Sequence, residues 1–367
     1  MSEVRSERCG HTVTPGARPA APAVNAFDEG REPQIAYIRL ETIGRIILDR
    51  PKALNALTTS MVRQIDAALD VWEENPGSAL VLESSSPKAF CAGGDIRQIR
   101  QNTIDGVPER SVEFFASEYR LNLRLAELST PVVSLVNGIC MGGGMGLSVH
   151  GAFRVVGDNA LLAMPETSIG FFPDVGGSHF LARLPGSLGT YLGLTGYRMD
   201  AADAMYTGLA THRVNDVGDV GDALNAGPRR SVDEVLRTLS PESPYPQGKL
   251  ATHRTEIDWC FGAPTISGIR SRLKAENNTW SRDTLQSLDG MSPLSLEVTL
   301  AAITAGKQLT LARCLDMELQ IATRLTHTAD FVEGVRAGLV DKDKTPHWLT
   351  LQDTDFDYPA AGLWNRT

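Results

Sequence analysis

The part of the sequence that decides the fold is residues 141–151, MGGGMGLSVHG. An apolar run at residues 131–136 precedes it and predicts a buried strand, and the residues from Met145 onward predict a helix. Three consecutive glycines let the backbone approach a ligand closely, and free N–H groups at a helix N-terminus attract negative charge. A tight turn that packs the helix against the strand explains the glycines equally well. The stretch therefore predicts a strand–turn–helix unit that either binds an anion or oxyanion or only turns the chain.

Two nucleotide-binding signatures are absent from this stretch. A GxGxxG dinucleotide fingerprint would need glycine where Leu147 stands, and no lysine follows to complete a P-loop. Gly146, Ser148 and His150 come close to the GxSxG nucleophile elbow of serine hydrolases, with histidine in place of the second glycine. A serine hydrolase is therefore one hypothesis, but we prefer the interpretation that Ser148 and His150 lie on a buried helix.

Outward from this stretch, short apolar strands alternate with amphipathic helices. Residues 35–40 and 43–48 are β-branched runs separated by a short gap, which predicts a β-hairpin. Apolar residues spaced three or four apart between Met61 and Trp72 predict one face of a helix, and residues 79–83 predict the next strand. Alternation of this kind favours an α/β fold.

The residue pattern divides the chain into four parts. Residues 1–33 are rich in proline, alanine, glycine and charge, which predicts a flexible tail without the apolar segment of a signal peptide. Residues 34–214 carry the alternating strands and helices, and residues 215–350 are mainly helical. We expect the helical part to pack on the α/β core and residues 351–367 to form a second tail.

Composition excludes several function classes. The 367 residues include 35 basic and 44 acidic side chains, a net charge of −9, so no basic excess is available to bind nucleic acid. The long uncharged run at residues 128–153 is too rich in glycine for a membrane helix. The five cysteines form no CxxC pair, which argues against disulfides and a thiolate zinc site. We therefore expect a cytoplasmic protein that binds no nucleic acid, membrane or metal.

Two acidic residues, Glu166 and Asp174, stand eight positions apart among apolar residues. Desolvation raises the pKa of such carboxyl groups and suits them to general acid–base work, although capping a helix N-terminus is the alternative role. A second small-residue turn, CAGGDI at residues 91–96, follows a strand as the first turn does. Together the two turns could supply two N–H groups that polarise a carbonyl.

These motifs together resemble the crotonase (enoyl-CoA hydratase/isomerase) superfamily. The resemblance is carried by RPKALNAL at residues 50–57, KAFCAGGDI at 88–96, MGGGMGLSVHG at 141–151, MPETSIGFFPDVGG at 164–177 and EGVRAGLVDKDK at 333–344. It extends from about residue 35 to residue 348, only loosely over residues 215–285. It implies a spiral of ββα units with a mainly helical C-terminal part. Within the superfamily, the resemblance is greatest to the 3-hydroxyisobutyryl-CoA hydrolases.

The resemblance implies an acyl-CoA thioester as the substrate, with CoA as part of that substrate and no separate cofactor. The thioester oxygen would accept hydrogen bonds from the N–H groups of Ala92 and Gly143. Glu118 matches a substrate-contacting acid of the hydrolase subgroup. The adenine and pantetheine portions of CoA would be held by two turns, which contain Ala53, Leu54, Gly94, Asp95 and Ile96.

One position separates the subgroups of this superfamily. Hydratases carry two catalytic glutamates, one of them where this sequence has Gly146. Without that carboxylate, the resemblance favours hydrolysis of a short β-hydroxyacyl-CoA, 3-hydroxyisobutyryl-CoA in valine breakdown, by Glu166 and Asp174. Glu166 would either activate water or attack the thioester to form an anhydride. Asp174 would orient the water or the substrate hydroxyl and protonate the departing thiolate.

Three alternatives stay open at this point. They are a hydratase or isomerase of the same superfamily, a serine hydrolase that acts through Ser148, and a non-catalytic protein that binds CoA esters. Homo-oligomers also stay open, because many crotonase relatives are trimers or hexamers. The extended C-terminal part of the hydrolase subgroup would cover the surface used in those assemblies.

Overall fold

The structure is a computed structural model that describes residues 34–227, 230–241 and 247–353. The predicted tail at residues 1–33 lies outside these ranges, as does most of the predicted tail at residues 351–367. The strands in the described ranges are β1 (Ile35–Arg39), β2 (Ile43–Leu48), β3 (Ala79–Ser84), β4 (Ala89–Cys91), β5 (Val132–Val136), β6 (Ile139–Met141), β7 (Phe153–Val156), β8 (Leu161–Ala163) and β9 (His212–Arg213). The α-helices there are α1 (Thr59–Glu74), α2 (Ile96–Ile104), α3 (Glu109–Glu127), α4 (Gly143–Val149), α5 (Gly177–Phe180), α6 (Leu188–Thr195), α7 (Ala201–Thr207), α8 (Gly218–Ala226), α9 (Val232–Leu239), α10 (Lys249–Thr252), α11 (Arg254–Phe261), α12 (Ile266–Glu276), α13 (Thr279–Asp289), α14 (Pro293–Gly306), α15 (Leu311–Leu325) and α16 (Ala329–Val335).

The strands form two sheets. The larger sheet has the order β1-β2-β3-β5-β7-β9 and the smaller one the order β4-β6-β8. Strands β1 and β2 are antiparallel, with Ile35 opposite Leu48, which confirms the predicted hairpin. The other pairs are parallel and need crossover connections, which the alternating helices supply. The predicted α/β fold with a mainly helical C-terminal part is therefore confirmed.

Helix α1 shows how the sequence specifies one of these elements. The Thr58 hydroxyl accepts a hydrogen bond from the Met61 N–H at 3.1 Å and so caps the helix. Met61, Ile65, Leu69 and Trp72 are all buried, which confirms the predicted apolar face. Because burying one large apolar side chain contributes about 1.5–3 kcal/mol, this face fixes α1 against β1, β2 and α3.

The smaller sheet is the part of the fold that positions the site. Its three strands are parallel, so the segments that follow them lie at the same edge of the sheet. The segment after β4 contains Gly94, the segment after β6 contains Gly143, and the segment after β8 contains Glu166. Residues that are far apart in the sequence therefore meet at one edge.

One hydrophobic cluster joins the α/β part to the C-terminal helices. It extends from Ile35 in β1 to Val335 in α16. The ring of Phe171 lies 5.6 Å from Phe115 and 5.7 Å from Phe331, between the two parts. The helical part thus packs on the α/β core, while the exact division at residue 214 stays a prediction. Every helix in the described ranges is too short or too polar to cross a membrane.

Candidate active site

A cavity of about 590 Å³ lies at this edge of the smaller sheet. Its walls come from the turns after the three strands, from α3 and from the C-terminal segment around Lys344. The wall brings together most of the residues predicted for the site, namely Leu54, Ala92, Gly94, Ile96, Glu118, Gly143, Glu166 and Asp174.

Two predicted substrate-binding residues, Ala53 and Asp95, do not line this cavity. Ala53 ends the short 3₁₀ helix Pro51–Ala53. The Asp95 carboxylate accepts a hydrogen bond from Arg50 at 3.0 Å and lines a neighbouring cleft. This ion pair connects the turn after β4 to the segment after β2, so Asp95 stabilises the turn that forms part of the cavity wall without lining the cavity itself.

Three carboxyl groups line the cavity with little access to solvent. Glu118 belongs to α3, Glu166 begins the 3₁₀ helix Glu166–Ile169, and Asp174 lies in the loop beyond it. Glu118 Oε1 and Glu166 Oε2 have no hydrogen-bond partner among the described residues. Burial raises the pKa values of both glutamates well above the usual range of a glutamate. The negative charge of Asp174 raises both values further. Buried carboxyl groups with perturbed pKa values in a cavity are typical of functional sites.

Asp174 differs from the two glutamates because it has a hydrogen-bond partner. The hydroxyl of Tyr119, in α3, donates to Asp174 Oδ2 at 2.7 Å. Burial raises the pKa of Asp174 to about 7, and the hydrogen bond from Tyr119 opposes that rise. Asp174 therefore ionises more readily than the glutamates. A carboxyl group with a pKa near neutrality beside two glutamates of raised pKa is a combination suited to acid–base chemistry.

The structure contradicts the prediction that Ala92 supplies an oxyanion donor. The Ala92 N–H already donates to the carbonyl oxygen of Leu54 at 3.0 Å. The physical reason is Gly93, whose φ of +105° breaks the alternation of N–H directions along the chain. The Asp95 N–H donates to the Leu57 carbonyl and therefore faces the segment that contains Leu57. The N–H of the preceding residue, Gly94, then faces away from that segment.

Gly94 and Gly143 both lie in the cavity wall and have N–H groups that are available to a ligand. Neither group has an acceptor among the described residues, since Gly143 opens α4 and lies in its first turn. The two backbones are close, because a Cβ atom built on Gly143 would lie 3.3 Å from the Gly94 nitrogen. The same Cβ would lie 2.3 Å from Glu118 Oε1, so a side chain at 143 would displace the Glu118 carboxyl group. These two N–H groups, rather than that of Ala92, form the pair suited to a developing oxyanion.

Gly146 lies where the packing leaves no room for a side chain. A Cβ atom there would be 2.6 Å from Val175 Cβ and 3.0 Å from Asn122 Oδ1. Real Cβ atoms do not approach other atoms within 3.0 Å, so the neighbouring loop would have to move. Position 146, where the hydratase pattern has a glutamate, thus has no carboxylate here. The space for a side chain at this position is occupied by Val175.

Ser148 and His150 lie on and directly after α4, as predicted for residues of a buried helix. Ser148 is buried and its hydroxyl donates to the Met145 carbonyl at 3.1 Å. His150 Nε2 donates to the Val175 carbonyl at 2.8 Å, and burial lowers the pKa of its imidazole to about 4. Neither residue lines the cavity, and residues two apart on a helix do not face each other. The geometry does not favour a serine nucleophile.

Two exposed cations at the cavity, Arg198 and Lys344, were not found by the sequence analysis. Neither forms an ion pair within the described parts of the chain. Lys344 has a left-handed backbone with φ of +57°, and its N–H donates to the Ala337 carbonyl at 3.1 Å. Arg198 lies outside the sequence motifs, and Lys344 ends the motif at residues 333–344, which by itself indicates no role in binding. In the described ranges, no group of three or more potential metal-ligating side chains is arranged to hold a metal.

Comparison with known proteins agrees with this architecture. Residues 43–357 match the family model for enoyl-CoA hydratase/isomerase. The mitochondrial 3-hydroxyisobutyryl-CoA hydrolase of Xenopus laevis is 40% identical over 326 residues, which cover 86% of this chain and 84% of that protein. The human protein of the same name is 41% identical over 335 residues, covering 87% and 86%.

Solved structures show the same fold. A crystal structure of an enoyl-CoA hydratase from Rhodobacter sphaeroides 2.4.1 has a TM-score of 0.79 and 39% sequence identity, and the match covers 86% of this chain and 92% of that one. The predicted crotonase-like fold is therefore confirmed. Because these matches span the strands, turns and C-terminal helices that build the cavity, the chain belongs to the enoyl-CoA hydratase/isomerase family of the crotonase superfamily.

Proposed function

We propose that this chain hydrolyses the thioester of a short β-hydroxyacyl-CoA, 3-hydroxyisobutyryl-CoA above all, to 3-hydroxyisobutyrate and CoA. The hydrolases that are 40–41% identical to it over most of their length support this substrate. The observation that carries the proposal is the buried group of Glu118, Glu166 and Asp174 beside two free N–H groups, with position 146 filled by its neighbours.

The free N–H groups and the unpartnered carboxyl group give the substrate an orientation. The thioester oxygen would accept hydrogen bonds from Gly94 and Gly143, where negative charge develops during attack. Glu118 Oε1 lies beside Gly143 and has no partner, so it is suited to the β-hydroxyl group of the acyl chain. The exposed cations Arg198 and Lys344 would attract the phosphates of CoA at the mouth of the cavity.

The reaction needs one negative charge and one transferable proton on the Glu166–Asp174 pair. In the unliganded cavity the charge resides on Asp174, because Tyr119 donates to it. Transfer of the Glu166 proton to Asp174 gives an ionised Glu166 and a protonated Asp174. Glu166 then removes a proton from the attacking water, or attacks the thioester carbon itself to form an anhydride that water later opens. The C–S bond breaks, and the thiolate of CoA takes the proton of Asp174.

A thiol-release assay tests the proposal. CoA release is measured with 3-hydroxyisobutyryl-CoA, 3-hydroxypropionyl-CoA and acetyl-CoA, and hydration of crotonyl-CoA is measured in parallel. We expect fast release from the β-hydroxyacyl esters, slow release from acetyl-CoA and no hydration. Hydration without CoA release would overturn the proposal in favour of the hydratase alternative, which is the activity for which the similar Rhodobacter structure is named. Tight binding of the esters without either reaction would support the non-catalytic alternative.

Several accompanying expectations are also proposals. We propose that the reaction requires no cofactor and no metal, which is tested by activity after treatment with a chelator. We propose a cytoplasmic role in valine breakdown, although the vertebrate relatives are named as mitochondrial proteins. Fractionation of the source cells tests the location, and light scattering tests whether copies of the chain associate.

A further inference from the structure

The turn that follows Asp174 has an unusual backbone. Val175 has φ of +51° and Gly176 has φ of +84°, so two consecutive residues are left-handed. A β-branched residue rarely adopts this conformation, which persists only where the surrounding structure holds it. A substitution at Gly176 is also blocked, since a Cβ atom there would lie 2.5 Å from the His150 ring. The position of Asp174 thus depends on whatever holds this turn.

Glu318 of α15 holds the turn from the C-terminal helical part. Its Oε2 accepts a hydrogen bond from the Gly176 N–H at 2.7 Å, and its Oε1 accepts one from the Ser178 N–H at 2.9 Å and another from the Ser178 hydroxyl. The residue is 0% exposed, and no basic side chain pairs with it in the described ranges. A buried carboxyl group without a cation is costly, so these donors are what stabilises it there.

We propose that Glu318 is a positioning residue for the reaction, holding the left-handed Val175–Gly176 turn so that Asp174 faces the substrate. The inference rests on the proposed hydrolysis, because it concerns the same pair of acids. His150 also donates to the Val175 carbonyl at 2.8 Å, so a second side chain, from the residue after α4, holds the same turn. Glu318 lies outside the cavity wall and acts only through the loop.

The test is Glu318→Gln, with Asp316→Asn as the matched acid-to-amide control on the exposed side of the same helix. A glutamine presents an oxygen to one backbone N–H but an NH₂ group to the other, so one contact becomes a clash of donors. We expect kcat for CoA release to fall about 10- to 100-fold, the size of effect produced by a displacement near 1 Å, with KM little changed. The control should retain the activity of the unmodified chain.

A double variant separates positioning from general destabilisation. If Glu318 acts through Asp174, then Asp174→Asn combined with Glu318→Gln should be within about twofold of Asp174→Asn alone, because the two losses share one cause. Losses that multiply, or a folded Glu318→Gln variant with unchanged kcat, would overturn the inference.

Two further measurements keep the test decisive. If Glu318→Gln does not fold, Ser178→Ala removes one donor and keeps both backbone contacts; we then expect kcat to fall about 2- to 10-fold, and an unchanged kcat would overturn the inference. If the unmodified chain releases no CoA, the proposed function fails separately. Hydrogen exchange of residues 171–180 then decides whether Glu318 holds the turn: faster exchange in Glu318→Gln than in the control supports it, and equal exchange refutes it.

Discussion

Replacing Tyr119 by phenylalanine removes one hydrogen bond from the acid pair and leaves the packing in place. The Tyr119 hydroxyl donates to Asp174 Oδ2 at 2.7 Å, and its ring lies 5.9 Å from that of Phe115, a contact that phenylalanine keeps. A hydrogen bond to a charged group contributes about 1.5–3 kcal/mol, and 1.36 kcal/mol corresponds to one pH unit. Loss of the bond destabilises the ionised form, so the pKa of Asp174 should rise from about 7 to about 8–9.

The consequence for the rate follows from the fraction of ionised pairs. At pH 7 the unmodified pair is about half ionised, whereas a pKa of about 8–9 leaves roughly 1–9% ionised. On the proposed mechanism the reactive form carries its charge on Glu166 and its proton on Asp174, so the loss of the bond depletes only the resting form with an ionised Asp174. We therefore expect kcat/KM of Tyr119→Phe to be roughly twofold higher than that of the unmodified chain at pH 7 and roughly 9- to 50-fold higher at pH 9. The acidic limb of the pH profile should move to higher pH, because the reaction needs the Glu166–Asp174 pair with one negative charge. The pKa that this limb reports is that of the pair and not of either residue alone.

The measurement is CoA release from 3-hydroxyisobutyryl-CoA between pH 5.5 and 9.5. The control is Tyr197→Phe, since the Tyr197 hydroxyl also donates to an aspartate, Asp203 Oδ2 at 2.9 Å, away from the cavity. The Tyr197→Phe control should leave the pH profile of CoA release unchanged. An acidic limb that stays at its original pH in Tyr119→Phe would refute the reasoning, even if the rate changed equally at every pH.

Three further predictions concern other parts of the site. Glu166→Gln should lower CoA release by about 10²–10⁴-fold while calorimetry shows nearly unchanged binding of the CoA ester; near-normal turnover would reject its assignment. Gly146→Glu should give no hydration of crotonyl-CoA and should lower the free energy of unfolding by about 1–3 kcal/mol, because its Cβ would meet Val175; a gain of hydratase activity would show that this space can open. Lys344→Ala should raise KM and weaken its dependence on salt, whereas Lys342→Ala, outside the cavity wall, should not; equal effects would exclude a contact with the CoA phosphates.

The sequence could predict what depends on local pattern. The hairpin, the apolar face of α1 and the strand–turn–helix around Gly143 follow from periodicity and from the positions of the glycines. The carboxyl groups of Glu166 and Asp174 could be suspected because their neighbours are apolar. These features are set by residues close to one another in the chain.

The remaining parts of the site depend on long-range contacts or on single backbone angles. Tyr119 and Asp174 are 55 residues apart, and Glu318 and Gly176 are 142 residues apart, so no spacing rule relates them. The choice of Gly94 over Ala92 as a donor turns on the φ of Gly93. Since glycine is compatible with many φ values, its presence shows that the chain can reverse there and does not show which N–H group faces the cavity.

The absence of a carboxylate at 146 and the presence of Asp174 are two results of one packing arrangement. The side chain of Val175, whose backbone is left-handed, occupies the space that a side chain at 146 would need, since a Cβ atom built on Gly146 would lie 2.6 Å from Val175 Cβ. The same backbone, held by Glu318, carries Asp174 at the cavity wall. A glutamate at 146 would therefore require this turn to move. On the proposed mechanism, the turn and position 146 together determine whether the chain hydrolyses or hydrates its substrate. Changing either one alone should therefore abolish hydrolysis without creating hydration.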